Sequence, residues 1–201
     1  MSPTQAERSA TTRQALLSAA RNLWGERGFT AVGTPEIATT AGVTRGAMYH
    51  QFADKTSLFV AVLEAVEAEV MARLGEAVLA AAPASPIEAL HAAADAWLEI
   101  ATEPEIRQLV LLDATSVLGW AGFRDVSLRF SLGMTEQLLA EAVAAGELRE
   151  QPVRPLAHVL IAAIDEAAMV IADADDEEKA KAEMTPVVHG LIAALGPGAS
   201  G

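Results

Sequence analysis

Apolar residues along the chain recur at three- and four-residue intervals, and no run alternates with period two. Leu16, Ala20, Leu23 and Trp24 form one such stripe, which predicts a helix from Ala10 to Arg27 with Gly28 as its stop. Residues 1–9 read as a frayed terminus. Phe59, Val62, Leu63, Val66, Val70 and Leu74 predict a helix from Lys55 to about Ala80, roughly 35 Å long at 1.5 Å per residue. Ser85, Pro86 and Glu88 have the spacing of a helix start, ahead of Leu90, Ala94, Trp97, Leu98 and Ala101. Thr102-Glu103-Pro104 opens a short helix with Ile106, Leu109 and Val110. A break is expected at 113–122, then a helix from Phe123 to Ala145. Gly133 inside that helix points to close packing or a kink. Two further stripes place helices at 156–172 and from about Glu178 to Leu195, the second with Pro186 as a possible bend. The pattern predicts an all-α fold of about nine helices.

Between the first two long stripes lies TPEIATTAGVTRGAMYHQFADK, Thr34 to Lys55. Thr34 reads as an N-cap with Pro35 in the first helical position. Ala41-Gly42-Val43 reads as a tight turn, and Thr44 as the cap of a second short helix, Arg45–Gln51. Two helices joined by a short Gly turn is the helix-turn-helix layout, whose second helix enters the DNA major groove. Met48 and Phe52, four apart, face inward. Thr44 offers a hydroxyl and a helix N-terminus to phosphate. Arg45 suits a phosphate or a guanine edge. Gly46 and Ala47 let the backbone approach the groove, and Ala47 reads at most a thymine methyl. Tyr49, His50 and Gln51 lie towards nucleic acid, and Lys55 is placed to reach a phosphate. The bland alternative is a structural helix pair with a solvated polar face.

The order IATTAGVTRGAMYHQFADKTSLFVAVLE, within Thr12–Glu64, resembles the DNA-binding domain of TetR-type transcriptional repressors. One departure is Gln51, where the family has His before the Phe; here His50 stands one residue earlier. The resemblance implies an N-terminal three-helix domain over residues 1–54, a C-terminal helical-bundle domain for ligand binding and dimerisation over 55–196, and a short tail at 197–201. It implies operator DNA, with Thr34, Thr44, Arg45, Gly46, Ala47, Tyr49, His50, Gln51 and Lys55 at the interface. It also implies a small-molecule inducer and a homodimer formed through the last two helices. The alternative function is a helical dimeric interaction module that does not bind DNA.

Charge sharpens the division. Residues 1–59 carry six basic and four acidic side chains, a net +2; the other eight basic and 23 acidic residues make the rest −15. A DNA-facing head and an acidic body follow. The chain has no cysteine, which excludes disulfides and Cys-based metal sites. The first residues have no apolar leader, so a cytoplasmic protein is expected, and eleven Arg against three Lys fits a bacterial genome rich in GC. His50, His91, His158 and His189 lack metal-ligand spacing, and no phosphate loop, nucleophile elbow or dinucleotide fingerprint occurs. No enzyme, cofactor or metal is implied.

The stretch HVLIAAIDEAAMVIADA is apolar nearly all round, and such a helix must be buried on every face. Asp165 and Glu166 at its centre argue against a membrane span. For an inducer, Trp97, Trp120, Phe123, Phe130 and Met134 are the bulky groups able to line a cavity, although ordinary core is the commoner role. Asp113, Asp165 and Glu166 adjoin apolar runs. Each calls for a salt bridge, exposure at a rim, or a ligand with donors.

Overall fold

The computed structural model describes residues 4–196. It is all helical there: α1 (Gln5–Arg27), α2 (Thr34–Thr40), α3 (Arg45–Gln51), α4 (Lys55–Ala81), α5 (Pro86–Ile100), α6 (Pro104–Ile106), α7 (Ala114–Ala144), α8 (Val153–Ala172) and α9 (Glu177–Ala193). A π-helical segment, Arg107–Asp113, joins α6 to α7. Two compact units result: residues up to Val66 with Pro104–Val126, and Glu67–Glu103 with the chain from Ser127 on.

Local chemistry moves several predicted boundaries. α1 begins at Gln5 rather than Ala10, because Thr4 and Glu7 form a capping box that satisfies its first N–H groups. Residues 4–9 are therefore ordered helix entry, while 1–3 lie outside the described residues, as does the predicted tail. Gly33, not Thr34, is the N-cap of α2, so Thr34 and Pro35 fill its first two positions. The expected break at 113–122 narrows to Gly119, whose φ of 68° and ψ of 169° interrupt an otherwise continuous α7. α8 begins three residues early, at Val153, since Pro155 falls in its first turn, where a missing N–H is harmless. Gly133 is exposed, and a Cβ there would meet nothing within 4 Å, so neither close packing nor a kink accounts for it.

The first unit closes on aromatic packing. Trp24, Phe29 and Phe59 stand 5.2–5.6 Å apart between ring centroids. Leu16, Ile37, Met48 and Leu58 are fully buried around them. Arg21 forks onto Glu105, so α6 is tied to α1. In the second unit, α5, α8 and α9 pack on one another, and Leu90, Leu98, Ile171, Val188 and Ile192 of these helices are buried. Polar contacts join α5 to α9: Lys181 to Glu99, His189 to Asp95 at 2.6 Å, and the His189 ring stacked on His91 at 4.5 Å.

α8 departs from the expectation of burial on every face. Ala157, Leu160, Ile161, Ala167, Ala168, Ile171 and Ala172 are buried, yet Val159 is 67% exposed and Met169 and Val170 are also exposed. Val187 and Leu191 of α9 are 55% and 48% exposed. By length and mean hydropathy (1.7) α8 alone among the described helices is apolar enough to cross a membrane. Its packing against α5 and α9 and its central Asp165-Glu166 account for it as a helix of a folded bundle.

Candidate functional site

The α2–α3 pair is built by its turn. The Val43 N–H donates to the Ala38 carbonyl and the Gly42 N–H to that of Thr39, the paired bonds of a Schellman ending. Gly42 takes φ of 68°, a backbone that L side chains resist. Thr44 Oγ then accepts the Ala47 N–H at 3.1 Å, which caps α3. Met48 and Phe52 point into the core at 0% and 4% exposure. Thr44, Arg45, Gly46, Tyr49 and His50 are all exposed, with Ala47 half-buried. One edge of α3 thus presents an exposed, Thr44-capped helix N-terminus, a guanidinium, a phenol and an imidazole around a nearly bare stretch of backbone. A Cβ on Gly46 would meet only Thr44 Oγ, at 3.9 Å. Nothing inside the protein requires glycine there.

The other residues of the predicted set are placed differently. Half-buried Thr34 meets the Tyr49 hydroxyl at 3.3 Å and so braces α3 on α2. That bond, and then one from Arg45, hold the phenol below its usual pKa. The Arg45 guanidinium lies 5.5 Å from the Tyr49 ring centroid. Gln51 turns to α1 and donates to Ser9 Oγ at 2.8 Å. Lys55 faces inward: its Nζ donates to the Phe29 carbonyl at 2.5 Å and sits 3.9 Å from that ring's centroid. Burial lowers its pKa, with the Asp113 charge opposing. The same Phe29 gives its N–H to Asp113 at 2.7 Å.

Gln5, Arg8, Ser9 and Thr12 of α1 line a shallow groove with Ala47, His50 and Gln51 of α3. Their spacing of three and four residues puts them on one face of α1. The signal was the Thr-x-x-Glu spacing at Thr4–Glu7; without it the segment reads as a frayed end.

The residues expected around an inducer divide between the units. Asp113, Trp120 and Phe123 belong to the first. Asp113 is buried and engaged with Phe29, Trp120 is 65% exposed with Arg124 against its ring, and Phe123 is buried. Trp97, Phe130, Met134 and Asp165 are half-buried in the second unit, and Glu166 is exposed. Sequence reading missed Glu67. It is 5% exposed on α4, and its Oε1 has no hydrogen-bond partner among the described residues. Burial, reinforced by Asp165, raises its carboxyl to about 7. Its place in the stripe Leu63, Glu67, Val70, Leu74 was the available signal. Among the described residues no group of three or more His, Asp or Glu is arranged to hold a metal ion.

A capped α3 with an exposed polar edge, joined to α2 by a tight glycine turn, has the layout of a DNA-binding helix-turn-helix protein. The tetR family of bacterial regulatory proteins matches residues 16–62, and the tetracyclin repressor-like C-terminal domain matches 87–195. A TetR-family transcriptional regulator from Pectobacterium atrosepticum shares the fold at a TM-score of 0.83 and 32% identity, over 96% of this chain and 98% of that one. The HTH-type transcriptional regulator AcrR of Shigella flexneri is 36% identical over 103 residues, which are 50% of this chain and 46% of that relative. The HTH-type transcriptional repressor BepR of Brucella suis is 46% identical over 63 residues, 31% of this chain and 30% of BepR. The chain belongs to the TetR family and is a DNA-binding transcriptional regulator. Members of this family are typically transcription factors without catalytic activity, and they act on operator DNA as dimers with small-molecule ligands.

Proposed function

We propose that this protein is a repressor, cytoplasmic in its bacterium, released from its operator by a small-molecule inducer. The observation that carries the reading is the exposed edge of α3, from the Thr44 cap to His50, beside a buried Met48 and Phe52. The DNA contacts proposed are the α3 N-terminus with Thr44, Arg45, Gly46, Ala47, Tyr49 and His50. Arg8 of the adjoining groove adds a phosphate contact. Thr34, Gln51 and Lys55 serve as braces that set the angle of α3. The functional division proposed is a DNA-binding domain at 1–54 and a ligand-binding and dimerisation domain at 55–196.

Two copies pair through the apolar faces of α8 and α9, which gives two recognition helices for half-sites about one helical turn apart. α4 is one unbroken helix from the head into the body and is the natural lever between them. Inducer and DNA then oppose one another reciprocally, because each favours a different spacing of the heads.

The test is a DNA shift titration against the upstream intergenic region at two salt concentrations. A palindromic footprint, with affinity that falls steeply with salt, is expected. Failure to shift that region or any sequence from a random pool would overturn the reading.

A further inference from the structure

Glu67 poses an electrostatic problem inside the second unit. The side chain is 5% exposed, its Oε1 lacks a hydrogen-bond partner among the described residues, and the Asp165 carboxylate repels it. Arg73, the next basic residue along α4, forks onto Glu103; Arg154 pairs with Glu136 and Lys181 with Glu99. A buried carboxylate in that state keeps a proton or meets a positive charge. Val70 and Leu74 follow Glu67 on the same face of α4, and Ile161 and Ala168 stand one turn either side of Asp165 on α8; all four are buried.

We propose that Glu67 is the anionic anchor of the ligand site in the second unit, and that the ligand is an amphipathic organic cation, an ammonium on an apolar body. The inference rests on the ligand-responsive reading above and names the chemistry of that ligand. Asp165, which has contacts of its own, adds negative potential. The ammonium supplies the donor that Oε1 lacks, and the apolar body packs among buried side chains such as Val70 and Leu74. Binding requires the ionised carboxylate, so it expels the Glu67 proton and tightens as pH rises.

The test uses three probes with one apolar body: 4-phenylbutylamine, 4-phenylbutanol and 4-phenylbutyrate, titrated calorimetrically into the full-length protein. The amine should bind at least tenfold tighter than the alcohol at pH 8, with the butyrate weakest. Amine affinity should rise about tenfold from pH 6 to 8, with proton release detectable in buffers of different ionisation enthalpy. In Glu67→Gln the amine and alcohol should bind within about twofold of each other, with no pH dependence. Thermal melting of the variant checks that it is folded. Equal binding of amine and alcohol in the wild type, preference retained in Glu67→Gln, or no binding by any probe would overturn the assignment. DNA release is measured separately. If the amine binds but leaves DNA affinity unchanged, the ligand class stands and the inducer reading fails. If DNA is released by the neutral or anionic probe alone, the inducer reading stands and the cation assignment fails.

Discussion

The half-buried ammonium of Lys55 lies on the ring and carbonyl of Phe29. Its removal should act on folding before it acts on DNA. Lys55→Met loses a hydrogen bond and a cation–π contact, so the protein should be less stable by about 1–2 kcal/mol. The slope of DNA affinity against salt should be unchanged, because no phosphate partner is lost. Arg45→Ala is the complementary case: stability within ~0.5 kcal/mol of wild type, and a salt slope reduced by about one. Chemical denaturation and DNA titrations at several salt concentrations separate the two outcomes. A third single-residue prediction concerns Gly133, helical, exposed and in open space. Gly133→Ala should raise stability by about 0.5–1 kcal/mol, read in the same denaturation assay, through the unfolded chain's lost freedom.

At the scale of elements, α8 and α9 leave Val159, Met169, Val170, Val187 and Leu191 exposed. Val159, Met169 and Val170 fall on one face of α8 by helical spacing, and Val187 and Leu191 are one turn apart on α9. A charge there is tolerated by a monomer and not by a paired face. Val170→Glu with Leu191→Glu should convert the dimer to monomer in sedimentation velocity, while far-ultraviolet dichroism stays unchanged; a dimer that survives would exclude this face. Helix existence was legible in the stripes because burial imposes a period that residue type records directly. The boundaries were less so. The start of α1 is hard to read because the Thr4–Glu7 box lies in a polar segment with no apolar stripe. The extent of the break is not legible because Gly119 and Gly122 look alike in sequence, yet of the two only Gly119 takes a positive φ. In the DNA-binding set, residue type told which groups can donate to a phosphate but not where each side chain turns. Lys55 and Gln51 have the right chemistry and are held by Phe29 and Ser9.

For the whole molecule, buried Glu67 and half-buried His91 make stability depend on pH in opposite directions. Burial, and then the neighbouring His189, depress the pKa of His91. A histidine lowered in the folded state binds its proton more readily when unfolded, so it destabilises the protein as pH falls below the unfolded value of about 6.5. Glu67 is raised to about 7, against an ordinary 4.5. Its folded state holds the proton more tightly, so stability is present below pH 4.5, falls as pH rises towards 7, and then levels. Ionising that buried carboxyl costs the folded state on the order of 3 kcal/mol at pH 8. Denaturant titrations of wild type and Glu67→Gln between pH 4.5 and 8 give the check. The variant should gain on the wild type as pH rises, and the gap should close near pH 4.5, where both side chains are neutral. His91→Gln should do the reverse, gaining on the wild type only below about pH 6.5. A difference that stays constant across the range would mean that Glu67 is neutralised in the folded protein by a partner rather than by a proton, and the buried carboxylate would then have no charge left to offer a ligand.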